Sequence, residues 1–365
     1  MITTKTTSPT SVITQQLGEV IKLGIDVHAS SYVVVMKIDS SSPLRSKQFS
    51  PEAFIKWVTT LRSQCRELHS CYEAGPFGYG LHRKLTAMGI NNFVIRPINW
   101  DTHGQNVKTD SRDATQMALA LDGYLRGNDR SFSVIRVPSE EEERKRSLTR
   151  QRQSLIKERT RMTRCGRSHG LYYGESVPAS WWKPRNWNRL TEQLSDHLLD
   201  LLEPLRALCV HLDEQIQQLE AKMAQQIAPE IRLPKGMGVV IFEQMEREVC
   251  DWSRFSNRKQ VGSFTGLCPS EDTSAKRRFQ GSINKHGNAR LRHILIECAW
   301  QLIRWNPNYH AVAKWREQLE SAKATRSSRK KVVVAIARQF AVDWWRIRTG
   351  VCTPQSLGLQ MKEPV

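Results

Sequence analysis

Four acidic residues occupy positions at which their carboxylates can hold a pair of metal ions: Asp26, Glu73, Asp110 and Asp113. The first two each end a short apolar run. The last two lie three residues apart at the start of a helical pattern, where their side chains face the same way. Two divalent ions about 4 Å apart activate an attacking oxygen and stabilise the leaving oxygen in phosphoryl transfer. Because carboxylate oxygens suit Mg²⁺, the four acids predict a Mg²⁺ (or Mn²⁺) site.

A structural explanation of the same acids stays open at this level. Asp110 is a suitable N-cap, and Asp113 would add a favourable charge to the first turn of its helix. Asp26 and Glu73, taken singly, are ordinary solvated residues at strand ends. The agreement of all four positions with one fold favours the metal site. His28, two residues after Asp26, either supports the metal ligands from beside them or is an exposed turn residue, and the second interpretation is favoured.

The chain around these acids is strongly basic. Its 365 residues carry a formal net charge of +19, and the sequence pI is about 9.8. Such an excess of Lys and Arg is typical of proteins that neutralise nucleic-acid phosphates. The sequence shows no long apolar span or lipidation signal, which argues against a membrane protein. The eight cysteines have no CxxC spacing and no secretory signal precedes them, so we expect reduced thiols in the cytoplasm.

The elements that must position the acids follow from apolar periodicity between residues 20 and 137. The pattern predicts strands over 20–26, 31–38, 46–49, 68–73 and 92–96, and helices over 51–61, from after Gly78 to about 88 and over 110–124. This order is the layout of a ribonuclease H-like (RuvC-like) α/β domain. In that layout the ends of the first and fourth strands converge with the start of the last helix. The four acids fall at those three places.

The rest of the chain differs in character. Residues 1–19 are rich in Ser and Thr and are interpreted as a disordered tail. Residues 138–230 predict a helical coiled-coil region, in which two long antiparallel helices form either a protruding hairpin that recruits a second subunit or an ordinary helical subdomain. Residues 231–350 predict a mainly α C-terminal domain, and residues 351–365 are interpreted as a second tail.

Two segments of the C-terminal region carry candidate nucleic-acid ligands. Residues 233–238 predict a helix-hairpin-helix-like turn whose glycines let backbone N–H groups approach a phosphate at a helix N-terminus. A plain Gly-containing connection between helices is the alternative. The second segment places Ser274 in a polar loop ahead of a basic stretch that leads into a helix. The predicted nucleic-acid-binding residues are Lys235, Gly236, Gly238, Lys276, Arg277, Arg278, Lys285, Arg290 and Arg292.

Ser274 is a weak candidate for catalysis from first principles. A serine hydroxyl is a poor nucleophile unless a base, a metal or nearby cations activate it. Its basic neighbours would instead bind phosphate, with Ser274 as one more loop donor. A triad with His286 as the base lacks an acid that would orient the imidazole.

The chain from about residue 22 to residue 349 resembles transposases of the insertion-sequence one-ten family, the bridge-RNA-guided recombinases. Its N-terminal matches are Gly-Ile-Asp26-Val, Tyr-Glu73-Ala-Gly and Lys-Thr-Asp110-Ser-Arg-Asp113-Ala, which correspond to the family's acidic tetrad. Its C-terminal matches are Pro-Lys-Gly-Met-Gly238, the Gly266-Leu-Cys-Pro block, Ser274, and Ile-Asn-Lys285-His-Gly-Asn-Ala-Arg-Leu-Arg292.

The resemblance implies an enzyme that excises and inserts its own element in a bacterial, nucleoid-associated setting. Ser274 would form a covalent phosphoserine–DNA intermediate while the acidic tetrad holds the metal ions. A structured guide (bridge) RNA would pair with donor and target DNA. The family also implies a homodimer that assembles to a tetramer, with the middle region as the dimer contact and an active site built from two subunits.

The chain departs from this family directly after Ser274. The family commonly has one or two glycines there, whereas Ala275 and Lys276 follow in this sequence. A loop that needs a positive φ would be strained at Ala275, which makes Thr273 and Ser270 the alternative nucleophiles. Two other functions stay open. One is a RuvC-like metal-dependent endonuclease that cuts branched DNA by water attack, and the other is a non-catalytic nucleic-acid-binding protein.

Overall fold

The structure is a computed structural model that describes residues 18–98, 109–226, 231–274, 277–321 and 323–362. Within residues 272–280 the description is confined to the backbone of 272–274 and 277–280. The chain divides into two compact units, Met1–Val137 and Pro138–Val365. Among the described residues, no helix is both long enough and apolar enough to cross a bilayer.

The first unit contains a mixed five-stranded sheet. Its elements are β1 (Gly18–Val27), β2 (Tyr32–Ile38), β3 (Lys47–Phe49), α1 (Pro51–Arg62), β4 (Cys65–Glu73), α2 (Gly80–Ala87), β5 (Asn91–Ile95) and α3 (Asp110–Leu125). The strand order is β3-β2-β1-β4-β5, with β2 antiparallel and β4 parallel to both of their neighbours. The predicted order of strands and helices is confirmed.

The N-terminal boundary differs from the prediction. Gly18 and Glu19, which the sequence analysis assigns to a disordered tail, belong to β1. Gly18 pairs with Cys65 at the start of β4, and the Asp39 carboxylate accepts a hydrogen bond from the backbone N–H of Val20 (2.8 Å). Polar composition alone does not reveal such a strand start, because backbone pairing stabilises it.

Apolar side chains cover both faces of the sheet. Alternate residues of a strand point to opposite faces, so Ile21, Leu23 and Ile25 of β1 pack into the core beneath α1 and α2. The opposite face packs against α3 through Ala114 and Ala118. The even-numbered residues of β1 from 22 to 26 therefore lie on the α3 side, and Asp26 is one of them.

The second unit is mainly helical. Its elements are α4 (Glu140–Tyr172), α5 (Pro184–Leu190), α6 (Asp196–Ala224), α7 (Val239–Val249), α8 (Arg258–Thr265), β6 (Pro269–Ser274), β7 (Arg277–Ile283), α9 (Ala289–Trp305), α10 (His310–Lys314), α11 (Arg316–Glu320) and α12 (Arg326–Arg348), with 3₁₀ turns at Trp252–Arg254 and Gln355–Leu357. Helix is the expected content of this region. The antiparallel pair β6–β7 is an addition that the sequence analysis does not predict.

Helix α4 begins with strong start signals and is braced near its base. The Ser139 side chain accepts a hydrogen bond from the Glu142 N–H, and the Glu142 carboxylate accepts one from the Ser139 N–H, which together form a capping box. Two turns later Arg150 pairs with Glu248 of α7, whose side chain is only 3% exposed (Nε–Oε1 3.2 Å). Removing the arginine would leave a buried carboxylate without this partner, so the brace is specific.

Helices α4 and α6 form an antiparallel hairpin. Arg152 pairs with Glu220, and Arg159 pairs with Asp213. The partner numbers fall as the arginine numbers rise, which defines the antiparallel direction. The two long helices of the prediction are therefore confirmed, whereas a coiled-coil role in subunit contact stays a prediction.

A tryptophan core fills the hairpin near its far end. Trp181 is completely buried, and its Nε1–H donates to the Thr163 carbonyl of α4 (3.1 Å). Gly166 admits the ring, because a Cβ at that position would lie 2.4 Å from the indole. Beyond this core, Leu171 and Tyr172 end α4 with side chains that are more than three-quarters exposed (80% and 82%).

The helix-hairpin-helix-like turn is not confirmed. Residues 231–238 are not helical, and Pro234 bridges to Met361 near the end of the described chain. The Asn306 side chain ties the two segments together, because it donates to the Lys235 carbonyl and accepts from the Gln360 N–H. The segment after residue 350, interpreted as a tail, is therefore packed against this loop up to residue 362.

We expect Trp181→Ala to lower the free energy of unfolding by about 3–5 kcal/mol, because it removes a fully buried ring and a hydrogen bond. Urea denaturation followed by far-UV circular dichroism measures the change. Leu171→Ala is the matched control, since its exposed side chain should change stability by less than about 0.5 kcal/mol. Equal effects of the two substitutions would contradict the tryptophan core.

Candidate metal centre and nucleic-acid interface

One face of β1 lies along one stripe of α3. At the end of the contact farthest from Asp26 and Asp110, Lys22 Nζ is 2.9 Å from Asp122 Oδ1. In the middle Gly24 meets the helix backbone, because a Cβ there would lie 2.2 Å from the Ala114 carbonyl oxygen and 2.5 Å from the Ala118 nitrogen. Every second side chain of a strand and about every fourth side chain of a helix point to the same side. The even-numbered residues of β1 can therefore face one stripe of α3 along the whole contact. No residue larger than glycine fits at position 24 without moving α3.

The two stripes also match in length. The six residue steps from Lys22 in β1 to His28, which directly follows the strand, span about 20 Å. The twelve residue steps along α3 from Asp122 back to Asp110 span about 18 Å. The contact at Asp122 therefore brings the first turn of α3 to the C-terminal end of β1.

Asp26, His28 and Asp110 converge at that end. The Nε2 atom of His28 lies 3.2 Å from Asp26 Oδ2 and 3.3 Å from Asp110 Oδ2. One donor atom from each of the three side chains falls within 4.8 Å of the other two. The backbone N–H of His28 donates to the Ser31 carbonyl (3.0 Å), which holds the turn after β1 in place. Two of the four predicted acids are thus brought together, with a histidine between them.

Glu73 reaches the same end of the sheet through strand register. Strands β1 and β4 run parallel with Ile25 opposite Tyr72, so Asp26 and Glu73 are the next residues on neighbouring strands. Parallel strands lie about 4.8 Å apart. The Glu73 Oε1 atom accepts a hydrogen bond from the Ile98 N–H (3.2 Å). This contact holds the carboxylate at the sheet edge.

The start of α3 excludes the explanation of Asp110 as an N-cap. Thr109, not Asp110, is the N-cap of α3, and its side chain makes no capping hydrogen bond. Asp110 and Asp113 both lie in the first turn, where the helix dipole favours negative charge. Asp110 therefore does not cap the helix. Both aspartates remain candidates for the metal site.

Negative charge accumulates around Asp26. Burial raises its pKa, and the carboxylates of Asp110 and Asp113 raise the pKa further, whereas His28 lowers it. Burial is the largest cause of the raised pKa, and a divalent cation would offset the part that comes from repulsion by the two other aspartates. Oxygen donors at one sheet edge, partly exposed to solvent, fit Mg²⁺ or Mn²⁺ with water as further ligands.

Ser274 lies at a strand end and not in the irregular polar loop that the sequence predicts. It is the last residue of β6, and its register partner is Arg277, the first residue of β7. Antiparallel pairing of the two strands accounts for the difference. Lys276 falls outside the described residues, and Arg278 is described only as part of the β7 backbone.

The base of this β-hairpin is a backbone contact between two motifs. Asn288 N donates to Phe264 O (2.7 Å), and Lys285 N donates to Gly266 O (3.2 Å). A Cβ at Gly287 would lie 2.3 Å from the Gly266 nitrogen, so only glycine permits this approach. The two C-terminal motifs that the sequence analysis singles out therefore meet where the Ser274 hairpin begins.

The predicted nucleic-acid ligands around this base have unequal freedom. Lys285 is exposed, with a positive φ of 60°. Arg290 is also exposed, but its Nε–H donates to Gln153 of α4 (3.0 Å). Arg292 donates to the carbonyls of Thr265 (3.2 Å) and Lys285 (3.3 Å). Arg292 thus braces two loops, which is a structural role that the sequence does not predict.

The predicted nucleic-acid ligands in the loop of residues 233–238 also differ in how strongly packing constrains them. Lys235 has an exposed side chain, but its backbone N–H donates to Gln360 O (2.8 Å). Gly236 has a φ of +88°, and a Cβ there would lie 2.8 Å from the Gln301 carbonyl oxygen of α9. Gly238 is the N-cap of α7 with open space around its Cα. Packing inside the unit therefore explains Gly236 without a phosphate.

The sequence favours an exposed turn for His28 and gives no role to Gly24, whereas the structure places His28 between two acids. His28 carries a usable signal, because it follows Asp26 by two residues and alternate residues of an extended chain share a face. Gly24 carries a weaker signal, since a glycine inside an apolar strand marks a close approach of another backbone.

Two family models match the chain. Residues 230–314 match the family described as "Transposase IS116/IS110/IS902 family", and residues 23–169 match a DEDD-type IS110 model described as "Transposase". A putative transposase of Sinorhizobium fredii, y4rJ, is 32% identical over 80% of this chain and 79% of its own length. The transposase for insertion sequence element IS1533 of Leptospira borgpetersenii is 26% identical over 76% and 84%. The transposase for insertion sequence element IS1328 of Yersinia enterocolitica is 22% identical over 90% and 96%.

Gly24→Ala should displace α3 from β1, because the added Cβ would overlap the Ala114 carbonyl. We expect a loss of about 1–3 kcal/mol in the free energy of unfolding and weaker Mn²⁺ binding in a titration followed by electron paramagnetic resonance. Gly80→Ala is the control, since a Cβ there meets nothing within 4 Å and a helical alanine stabilises by up to about 1 kcal/mol. Wild-type Mn²⁺ affinity in Gly24→Ala would contradict the proposed contact.

Asp26 and Asp122 should respond to substitution in opposite directions. The raised pKa of Asp26 means that its ionised form destabilises the fold, so Asp26→Asn should increase the free energy of unfolding at pH 7 without divalent ions. Burial alone would raise the pKa of Asp122, but Lys22 and Lys37 lower it overall, so Asp122→Asn should decrease that free energy. The Asp26 difference should fade as the pH falls through about 4, where its carboxyl group becomes protonated in both the folded and the unfolded state. The Asp122 difference should persist to lower pH and fade only as the pH falls through the lowered pKa of the folded state. Urea titrations at a series of pH values from 7 down to about 2.5 provide the measurement, and a destabilised Asp26→Asn at pH 7 would contradict the expectation.

Proposed function

The chain belongs to the IS116/IS110/IS902 transposase family, and we propose that it excises and inserts its own insertion sequence by DNA strand cleavage and rejoining. Membership of the family implies DNA substrates and DNA-transposing activity. The DEDD-type match implies a ribonuclease H-like fold for the first unit and dependence on metal ions. The observation that carries the proposal is the convergence of Asp26 and Asp110 at the end of β1, inside the region that this match covers.

We assign the metal-binding role to Asp26, Glu73, Asp110 and Asp113. Bound Mg²⁺ or Mn²⁺ would neutralise charge on a phosphoryl group and on its attacking and leaving oxygens. The residues themselves hold their positions through the β1–α3 contact and the β1–β4 register. The approach of the Asp26 and Asp110 carboxylates to one imidazole supports a cation at this place, because a divalent ion would offset the repulsion between the two carboxylates.

Ser274 is proposed as the nucleophile. Its hydroxyl oxygen attacks a DNA phosphorus and loses its proton, the P–O bond to one strand end breaks, and the departing oxygen takes up a proton. The phosphoryl group stays on the serine until the hydroxyl of a new strand end attacks it and releases Ser274. The place of Ser274 at the end of a two-stranded ribbon supports this role, because the major groove of a double helix admits such a ribbon. Backbone pairing at the base of the ribbon restricts its direction.

The proposed partners are donor DNA, target DNA and a structured guide RNA. The net charge of +19 supports contact with long stretches of phosphate backbone. Exposed Lys235, Lys285 and Arg290 are the described residues that we assign to such contacts, with Lys276, Arg277 and Arg278 proposed beside them. A homodimer that assembles to a tetramer, with the α4–α6 hairpin as the dimer contact, completes the proposal.

The serine step is tested by trapping the covalent intermediate. Radiolabelled element-end DNA is incubated with the protein, Mg²⁺ and RNA transcribed from the flanking non-coding segment, and adducts are separated under denaturing conditions. We expect a protein–DNA adduct with wild-type protein and at least a ~10³-fold loss with Ser274→Ala, since removal of a nucleophile leaves only residual catalysis. Asp26→Ala and Glu73→Ala should abolish the adduct as well, because both lose the metal site.

Ser270→Ala is the matched control. Its hydroxyl donates to the Ser282 carbonyl (3.0 Å) in the same ribbon, so the substitution should leave the adduct intact. An adduct that persists in Ser274→Ala and vanishes in Ser270→Ala or Thr273→Ala would reassign the nucleophile. Nicked DNA without any adduct would instead identify a hydrolytic endonuclease. Binding without cleavage under every metal and guide condition would identify a non-catalytic protein.

A further inference from the structure

The distances from His28 to the two aspartates are close to the distance between neighbouring ligand atoms of one metal ion. In an octahedral site with ligands about 2.1 Å from the ion, adjacent donor atoms are about 3.0 Å apart. The Nε2 atom of His28 is 3.2 Å from Asp26 Oδ2 and 3.3 Å from Asp110 Oδ2. Both separations are close to that edge, and the three donor atoms all lie within 4.8 Å of one another. The 3.2 Å contact with Asp26 is also of hydrogen-bond length, so the test below must distinguish a metal ligand from a hydrogen-bond partner.

The backbone aims the imidazole at this point. Asp26 lies in β1 with its side chain on the α3 side of the sheet, and His28, the residue that follows β1, brings its imidazole to the same side, 3.3 Å from Asp110 Oδ2 of α3. The turn bond from His28 N to Ser31 O and the pairing of Val27 with Tyr32 hold the residue on either side. The imidazole is 45% exposed, which leaves one side of the site open to water or phosphate oxygens.

An unrelated surface histidine would not be expected to show this geometry. In the part of the chain that the structure describes, Asp26, His28 and Asp110 are the one group of three or more acidic, His or Cys side chains whose donor atoms come this close. His211, by comparison, is an exposed histidine on α6 whose Nδ1 atom lies 3.9 Å from Glu214 Oε2, on the same helix. The position of His28 between two carboxylates thus calls for an explanation of its own.

We propose that His28 is a direct nitrogen ligand of the metal centre and shifts its preference from Mg²⁺ toward first-row transition ions such as Mn²⁺. This inference rests on the proposed function, because it assumes that the acids hold a metal. Mg²⁺ takes oxygen ligands and keeps several waters. Transition ions also accept imidazole nitrogen, and their affinity for it rises along the series that begins with Mn²⁺. One imidazole among carboxylates therefore penalises Mg²⁺ more than Mn²⁺.

Pulsed electron paramagnetic resonance of the full chain with Mn²⁺ tests the ligand directly. An imidazole nitrogen bound to Mn²⁺ modulates the electron spin echo, and ¹⁵N-histidine labelling changes the modulation frequency. We expect nitrogen modulation with wild-type protein and its loss in His28→Ala. The Mn²⁺ dissociation constant, from the signal of the free ion, should rise by at least about tenfold in His28→Ala, as even loss of a supporting residue costs that much.

Two further variants separate ligand identity from general damage. His28→Asn places a carboxamide oxygen near the same point, so it should abolish nitrogen modulation while raising the ratio of Mg²⁺ affinity to Mn²⁺ affinity above that of wild type. His211→Ala should leave the modulation and both affinities unchanged. Circular dichroism melting curves verify that each variant is folded.

The outcomes also separate this inference from the proposed function. Tight Mn²⁺ binding by wild type that is lost in Asp26→Asn, but with no nitrogen modulation, would overturn the role of His28 and keep the acidic metal site. Nitrogen modulation that survives in His28→Ala would also overturn it. Mn²⁺ affinity that is indifferent to both Asp26→Asn and His28→Ala would overturn the acidic metal site itself, and the inference with it.

Discussion

The direct approach of the α3 backbone to β1 at Gly24 is the contact on which the first unit depends. Like charges at the end of β1 repel one another, and this repulsion alone would push the first turn of α3 away from the sheet. The ion pairs of Lys22 and Lys37 with Asp122, together with buried Ala114 and Ala118, oppose that force further along the same helix. The unit thus stabilises one end of α3 in order to hold an unfavourable arrangement at the other. Such an exchange of stability for activity is common in functional sites.

The first unit could be predicted from the sequence because its apolar runs mark the strands, and two of the acids lie at the ends of those runs. Asp26 and Glu73 close apolar runs, and those runs do form neighbouring parallel strands. The β6–β7 pair escaped prediction because polar residues such as Ser274 make up its strands, and backbone pairing rather than an apolar face defines them. His28 was assigned to an exposed turn on composition, which is correct for its exposure but says nothing of Asp110, a residue distant in sequence.

Basic residues of the second unit divide between internal braces and free surface. Arg292 holds two loops together, Arg150 neutralises a buried glutamate, and Arg159 pairs across the helical hairpin. A count of lysines and arginines therefore overstates the charge that remains for phosphate. Gly236 gives the same lesson for backbone motifs, because its positive φ serves contact with α9. Sequence patterns indicate which side chains are able to bind nucleic acid, whereas packing decides which remain free to do so.

The length of α4 amplifies small rotations at the Arg150–Glu248 ion pair. The helix has 33 residues and is about 50 Å long, and Arg150 with Glu248 grips it near one end. From Arg150 to Tyr172 the helix extends for about 33 Å, so a rotation of about 5° at the ion pair moves its far end by about 3 Å. The hairpin of α4 and α6 thus acts as a lever arm, and a small rotation at Glu248 displaces Leu171 and Tyr172 by about the length of a hydrogen bond.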